Sequence, residues 1–415
     1  MATALPPTGA LAGIQVLDLS RVLAGPWCTQ MLADLGADVV KVERPGAGDD
    51  TRHWGPPFLK DAGGNDTDQA SYFTACNRNK RSVTIDMATE EGQQLIRQMA
   101  LQADVLVENF KVGGLARYGL DHATLRALNP RLIYCSVTGF GQDGPYAERA
   151  GYDLMVQAMT GMMSITGRPD EEPGGGPLRV GVALTDLFTG VYASSAILAA
   201  LHARHSTGEG QHIDMALLDV GMAILANQAA GFLATGVAPM RQGNSHPSLA
   251  PYQDFATQDG SMLLAIGNDG QFARFCQATG HPEWAQDPRF ASNTLRVRHR
   301  AELISMMETL TRTRSTAEWV ALLQNKAVPC GPINTIADAF ADAQVQARGL
   351  KVVQPRHAGD GIASIAGVAS PLRLTSHPPV LRHAPPALGQ HTNEVLGEMG
   401  LDAERIAQLR ASRVV

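Results

Sequence analysis

Short apolar runs and longer amphipathic segments alternate along the first half of the chain. The runs with the length and composition of strands are 14–19, 37–43, 82–86, 104–108 and 131–137. Between them, residues 27–35 and 90–101 have the spacing of helices, and Pro26 suits the first turn of the earlier one. Strands that alternate with helices indicate βαβ units. We therefore predict an α/β fold with a doubly wound parallel sheet, in which ligands bind outside the carboxyl ends of the strands.

The pattern changes after residue 220. Residues 252–257 and 261–266 read as a hairpin across a Gln-Asp-Gly turn, and the helical segments that follow carry more charge. We assign a large Rossmann-like domain to residues 1–220 and a smaller α+β domain to residues 221–334. The remaining segment, 335–415, is expected to return to the large domain.

Asp186 begins the most apolar segment of the chain. It lies between a predicted strand at 178–183 and a predicted buried helix that runs from Leu187 to about His205. The pattern alone favours a helix N-cap, whose side chain accepts the first helical N–H groups. A carboxylate at that position is also favoured in its ionised form by the helix dipole, as a carboxylate nucleophile requires. The two roles are compatible, and both stay open.

Composition limits the possible partners. The chain has 34 basic and 40 acidic residues and a net charge of −6, which argues against a broad surface for nucleic acid or an anionic membrane. Its five cysteines show no CxxC spacing, so we expect no metal site and a reducing, cytoplasmic location. Residues 1–7 lack the apolar core of a secretory signal, and the tract 187–201 is too short and polar to cross a bilayer.

An anion site must therefore be a local pocket. The turn after the first strand, 20–26, lacks the GxGxxG motif, which disfavours a nicotinamide cofactor. Arg44 follows the second strand, where an arginine suits a ribose phosphate such as the 3′-phosphate of coenzyme A. A second basic cluster, 77–81, precedes a strand and is either a phosphate site or a solvated charge run.

Ordered matches along nearly the whole chain resemble the class III CoA-transferases, the CaiB/BaiF or formyl-CoA transferase-like family. The matching stretches are 11–19, 21–26, 36–52, 77–82, 104–110, 151–153, 181–186 and 328–334. Within the family, 44–57 and 133–145 are closest to the succinate–hydroxymethylglutarate branch. The resemblance implies an enzyme that moves CoA from an acyl-CoA donor to a free carboxylic acid, here a short dicarboxylate such as succinate, glutarate or hydroxymethylglutarate. It also implies an interlocked, ring-like homodimer, and CoA as a substrate with no permanently bound cofactor.

The resemblance also assigns roles to residues. The family's nucleophile, which forms an aspartyl anhydride and then an aspartyl-CoA thioester, falls on Asp186. The positions that contact CoA fall on Leu23, Ala24, Arg44, Ile85, Asp86, Met87, Ala88, Asn109, Phe110, Lys111, Arg117, Ala150, Gly151, Tyr152 and Asp153. Leu23, Ala88 and Ala150 depart from the glutamine and lysines of formyl-CoA transferase, although Arg149 or Lys111 would supply a cation there. Arg241 and His246 are candidates to bind the acceptor acid, with a purely loop-bracing role equally open.

Two other functions are weighed against transfer. An α-methylacyl-CoA racemase of the same family pairs its aspartate with the histidine of a Gly-His-Asp motif, because moving an α-proton needs a base on each face. Here the triplet is Gly151-Tyr152-Asp153, and an ordinary phenol is a poor base at neutral pH. A non-catalytic CoA-binding protein would keep Arg44 and Asn109 but would not need Asp186.

Overall fold

The computed structural model describes residues 9–415, so the expected lack of a secretory signal at 1–7 lies outside the described residues. Across the described residues, strands β1 to β13 are Gln15–Asp18, Asp38–Glu43, Phe58–Lys60, Asp66–Ala70, Lys80–Thr84, Val105–Glu108, Ile133–Thr138, His212–Ala216, Tyr252–Ala256, Ser261–Ala265, Cys330–Pro332, Lys351–Pro355 and Ser364–Val368. Helices α1 to α17 are Ala24–Asp34, Ser71–Thr74, Glu90–Gln102, His122–Leu128, Asp153–Met159, Met162–Ile165, Leu184–Thr207, Leu217–Ala223, Ala226–Thr235, Asp269–Thr279, Asn293–Arg298, Arg300–Thr311, Thr316–Gln324, Ile336–Ala341, Ala343–Ala347, Thr392–Glu398 and Ala403–Ala411.

The chain divides into two compact units. The large unit holds residues 9–160, 181–229 and 343–415, and the small unit holds 161–180 and 230–342. These limits differ from the predicted ones, because 161–180 belongs to the small unit. The strand predicted at 178–183 does not form, and α7 begins directly at Leu184. Within the small unit, segment 161–180 is held by a hydrogen bond from the Gly243 N–H to the Gly167 carbonyl, 3.0 Å long.

A six-stranded parallel sheet organises the large unit. Its order is β5-β2-β1-β6-β7-β8, so the direction of winding reverses between β1 and β6. Both faces of this sheet are covered, which explains why its strands read as continuous apolar runs in the sequence. The observed sheet confirms the predicted α/β class, and the crevice at the reversal point is where such sheets bind ligands.

Two apolar cores cover the two faces of this sheet. On one face α1 and α7 pack on the strands through residues such as Leu32 and Ile197. On the other face α3, α4, α16 and α17 contribute residues such as Ile96 and Leu396. Helix α7 is longer than the predicted apolar tract 187–201, and, contrary to that expectation, it is long and apolar enough by length and composition to cross a membrane. Its buried face, however, is part of this core.

The small unit has its own sheet and core. Strands β11, β10 and β9 form an antiparallel sheet in that order, and Ser261 pairs with Ala256 across the predicted hairpin turn. Phe255, Met262 and Trp319 belong to the core that this sheet makes with α10, α12 and α13. The hairpin prediction is therefore confirmed.

Candidate active site

Two adjoining cavities lie at the carboxyl ends of the parallel strands in the large unit. The Asp186 cavity is about 430 Å³, and its wall includes the predicted residues Leu23, Ala24, Asn109, Phe110, Lys111, Ala150, Gly151 and Tyr152 together with Asp186. The Arg44 cavity is about 420 Å³, and its wall includes Arg44, Ile85, Asp86, Met87, Ala88, Phe110 and Arg117. Arg21, Asp50 and Phe110 line both cavities, so the two share a wall, and together they are called the groove.

Basic side chains without acidic partners line this groove. Within residues 9–415, Arg44, Lys111, Arg117 and Arg149 make no ion pair. Arg117 lies over the Tyr118 ring at 4.5 Å, and Arg149 lies over the Tyr146 ring at 4.3 Å. Cations left free in a concave site attract an anion, and the phosphates of CoA are anions of that kind.

The basic cluster at 77–81 has a structural role instead. Arg78 pairs with Asp34, and buried Lys80 pairs with buried Asp18 at 3.0 Å. Burial raises the pKa of Asp18, but Lys80 and Lys41 outweigh it and hold that pKa at about 2. A cation that already neutralises a buried acid is not available to a phosphate, so the phosphate interpretation of this cluster is wrong.

Hydrogen bonds from Asn109 and Asp49 fix the loop that follows β1. The Asn109 amide accepts from the Arg21 N–H at 3.0 Å and donates to the Arg21 carbonyl at 2.7 Å. Asp49, paired with buried Lys41 at 3.0 Å, accepts from the Val22 N–H at 3.2 Å. Val22 has φ of 73°, a strained conformation for a β-branched residue, and it lines the Asp186 cavity. Strain of this kind clusters at functional sites.

Asp186 is the third residue of α7 and is not its N-cap, which is Ala183. The predicted capping role is therefore wrong. Among residues 9–415 the Asp186 carboxylate has no hydrogen-bond partner, and burial, with a smaller effect from Asp153, raises its pKa to about 7. The helix dipole favours the ionised form by only about 0.3–1 kcal/mol. Burial outweighs this contribution, so the pKa of Asp186 rises although the dipole favours the ionised form.

Asp153 does not line either cavity, unlike its neighbours Gly151 and Tyr152. It is only 7% exposed, and its Oδ1 accepts from the Thr185 N–H at 2.8 Å and from the Asp186 N–H at 3.4 Å. Gly151 crosses directly over Gly139, where an added Cβ would lie 2.3 Å from the Gly139 Cα. The predicted CoA contact at Asp153 is thus not supported by its side chain, which is engaged with α7.

Two aromatic residues near Asp186 had not been singled out from the sequence. Burial raises the pKa of Tyr72 to about 12, and the charge of Asp186 adds to the rise. Trp54 lines the Asp186 cavity and packs edge-on against Tyr72 at 5.4 Å. Trp54 lies inside a stretch that carries the family resemblance, whereas no pattern in the sequence marks Tyr72.

Arg241 and His246 lie in a loop of the small unit that both side chains brace. Arg241 pairs with Asp170 and donates to the Ser164 carbonyl at 3.3 Å. His246 Nδ1 accepts from the Ser248 N–H at 3.0 Å. These contacts support the bracing role, and binding of the acceptor stays a prediction. Within 9–415 no group of three or more His, Cys, Asp or Glu side chains is placed to hold a metal ion.

Comparison with known proteins adds three kinds of match. The family model of CoA-transferase family III matches residues 11–392. Succinate–glutarate CoA-transferase of Agrobacterium fabrum is 52% identical over 389 residues, covering 94% of this chain and 95% of that protein. Succinyl-CoA:glutarate CoA-transferase of Mus musculus is 42% identical over 409 residues, covering 98% and 90%. The crystal structure of a CaiB/BaiF family protein from Brucella suis is 49% identical, with a TM-score of 0.83 and coverage of 94% and 100%.

Proposed function

The chain belongs to CoA-transferase family III, and on that premise we propose that it transfers CoA from a dicarboxylic acyl-CoA to a free dicarboxylate. The match confirms the resemblance predicted from the sequence, and the chain is a CoA-transferase. The observation that carries the mechanism is a partly buried carboxylate with no hydrogen-bond partner in the wall of a cavity, Asp186. A carboxylate in a cavity wall whose pKa is raised by burial and by a neighbouring acid is a candidate reacting group.

The first half-reaction moves CoA onto the protein and releases the donor acid. An Asp186 carboxylate oxygen attacks the thioester carbonyl, the carbon–sulfur bond breaks, and a mixed anhydride and CoA thiolate result. The thiolate then attacks the aspartyl carbonyl of the anhydride. The donor acid leaves as a carboxylate, and an aspartyl-CoA thioester remains on Asp186.

The second half-reaction repeats these steps in reverse order. The acceptor carboxylate attacks the aspartyl thioester, which releases the thiolate and forms a new anhydride. The thiolate then attacks the acceptor's carbonyl, so the new acyl-CoA forms and the Asp186 carboxylate is restored. CoA stays bound throughout, which is why the groove needs phosphate-binding cations such as Arg44 and Arg117 away from the nucleophile.

The raised pKa of Asp186 suits this chemistry. Because burial and Asp153 raise that pKa to about 7, the ionised carboxylate is a stronger base and nucleophile than an exposed aspartate. The cost is that protonation of Asp186 competes with its role as nucleophile as pH falls below this pKa.

A second copy of the chain is part of the proposal. Phe188, Val191, Tyr192 and Leu198 of α7 are between 37% and 44% exposed. Their spacing puts them on one stripe of the helix, and an exposed apolar stripe of this kind marks an interaction surface. A homodimer, interlocked as in the family, would cover it. Sedimentation of the active enzyme as a monomer would contradict the homodimer.

The dicarboxylate assignment is tested with matched acceptor acids. Succinyl-CoA is the donor, and each dicarboxylate is paired with the monocarboxylate of equal chain length: glutarate with valerate, and succinate with butyrate. Burying a second carboxylate without a partner costs several kcal/mol, so a site built for dicarboxylates must supply donors that a monocarboxylate leaves unused. We expect kcat/KM for glutarate to exceed that for valerate by about 100-fold or more.

The same panel of acids can also refute the dicarboxylate assignment. Equal kcat/KM for glutarate and valerate would rule out a dicarboxylate site while leaving CoA transfer intact. In Arg241→Ala, loss of the preference for glutarate would give the loop residue an acceptor role, and an unchanged preference would leave it as a brace of the small unit.

A further inference from the structure

Helix α7 carries the nucleophile, but its N-cap residue provides no side-chain hydrogen bond to the first turn. The preceding residue, Ala183, offers no side-chain oxygen. The first N–H groups of a helix have no partner inside it, and leaving them without one costs stability and lets the first turn fray. Asp186 lies within that first turn, so any fraying would move the reacting carboxylate.

Asp153, which lies on helix α5, provides the capping carboxylate that α7 lacks. Its carboxylate accepts from the Thr185 N–H at 2.8 Å, from the Thr185 hydroxyl at 2.5 Å and from the Asp186 N–H at 3.4 Å. Gln157, one turn later on α5, donates to the other oxygen at 2.6 Å and fixes its orientation. The residue that caps the helix therefore precedes the helix by about thirty positions and is itself held in place.

We propose that Asp153 is a positioning residue for the nucleophile: it caps the first turn of α7 from outside and so fixes the backbone that carries Asp186. The inference rests on the proposed role of Asp186. Because the Asp186 carboxylate has no hydrogen bond within residues 9–415, only its backbone and the cavity wall hold it. A reacting atom misplaced by about 1 Å slows an enzyme about 100-fold.

The position of Asp153 is itself determined by a close contact of two loops. Gly139 follows β7 and Gly151 precedes α5, and each would place a Cβ within 2.5 Å of the other's Cα. Only glycine permits this crossing. It brings the start of α5 against the start of α7, so the Gly-x-Asp sequence places the cap opposite the helix end.

Asp153 also contributes negative charge beside the nucleophile. The titratable groups that interact with Asp186 are Asp153 on α5 and Tyr72 on α2. The first turn of α1 carries no charged residue, and Asp219 of α8 is exposed. The remaining charged residues of the cavity wall are Arg21, Asp50, Lys111 and Arg149. A cap that is also an acid therefore makes the nucleophile more basic than a neutral cap would.

Two substitutions separate the cap from the charge. Asp153→Asn removes the charge and keeps one oxygen that accepts from the Thr185 N–H, but its NH2 replaces the oxygen that accepts from Gln157. Asp153→Ala removes both the charge and the cap. Asp143→Asn, an exposed aspartate that makes no hydrogen bond or ion pair within 9–415, is the control for charge removal. The readouts are kcat and kcat/KM for succinyl-CoA as a function of pH, and the Kd for CoA by calorimetry.

We expect Asp153→Asn to move the acid limb of kcat/KM to lower pH, because the free enzyme's Asp186 loses a neighbouring charge. Asp153→Ala should show the same shift and a kcat lower by about 100-fold, with the Kd for CoA changed less than about twofold. The control should match the parent. Circular dichroism establishes that each variant is folded.

The proposal is overturned if either variant weakens CoA binding about tenfold while kcat is retained, because Asp153 would then be a CoA ligand. It is also overturned if Asp153→Ala keeps the parental kcat and acid limb. Failure of the proposed function looks different, because Asp186→Ala would then retain transfer whatever Asp153 does.

Discussion

Replacing the nucleophile should stabilise the large unit at alkaline pH. Burial raises the pKa of the Asp186 carboxyl from its ordinary 3.8 to about 7. At every pH at which this carboxyl is ionised in the unfolded chain, the raised pKa destabilises the folded state. Between pH 4 and 7 the folded state binds the extra proton, so stability falls as pH rises through this window. Above pH 7 the full penalty is present.

The size of the penalty follows from the shift. Each pKa unit corresponds to about 1.4 kcal/mol, so a rise from 3.8 to about 7 costs roughly 4 kcal/mol at pH 8. Asp186→Asn has nearly the same shape without the charge and should recover most of this. At pH 5 the penalty is only roughly 2 kcal/mol, so the gain should shrink by about half.

Thermal unfolding followed by circular dichroism at pH 8 and pH 5 measures the difference. A gain of roughly 4 kcal/mol raises Tm by roughly 7 °C in a unit of this size. Asp143→Asn, which removes an exposed charge, should leave Tm unchanged at both pH values. If Asp186→Asn melts at or below the parent at pH 8, burial does not destabilise this carboxylate and the account of its raised pKa is wrong.

Three further predictions concern the groove and its loops. Arg44→Ala should raise KM for succinyl-CoA much more than KM for dephospho-succinyl-CoA, and equal effects would show that Arg44 does not bind the 3′-phosphate. Tyr152 occupies the position of the racemase histidine, so the enzyme lacks a second base. A 2-methylacyl-CoA incubated with it in deuterated water should gain no α-deuterium above the uncatalysed rate, and enzyme-dependent exchange would favour the racemase. Gly151→Ala should lower the free energy of unfolding by about 1–3 kcal/mol, because the added Cβ would meet the Gly139 backbone. Gly397→Ala, whose Cβ would have no atom within 4 Å, should not lower it, and equal melting points of the two variants would contradict the close contact of Gly139 and Gly151.

The predictable parts of the fold are those in which burial or a turn gives a recognisable pattern of residues over a short stretch of sequence. β1 and β6 are covered on both faces, so each is an apolar run that the sequence displays directly. The hairpin of β9 and β10 was marked by its turn residues. The segment 178–183 has the same apolar composition but finds no strand partner, and Leu178 is 55% exposed. Composition cannot tell whether a partner strand is present.

The site was predictable where chemistry lies in one short motif and not where it depends on distant contacts. Asp186 was assigned by resemblance. Its raised pKa depends on burial and on Asp153, which tertiary structure alone brings to the start of α7. The predicted phosphate site at 77–81 was wrong for the same reason. The acids that neutralise Arg78 and Lys80 lie far from them in the sequence.

The central claim is that Asp186 carries the covalent intermediates, and trapping them tests it most directly. The enzyme is incubated with succinyl-CoA without acceptor, treated with hydroxylamine, digested and mapped by mass spectrometry. An aspartyl anhydride or thioester reacts with hydroxylamine, so a hydroxamate should form at Asp186 and at no other carboxylate, and Asp186→Ala should show neither hydroxamate nor transfer. A hydroxamate at another residue, or normal transfer by Asp186→Ala, would contradict the account.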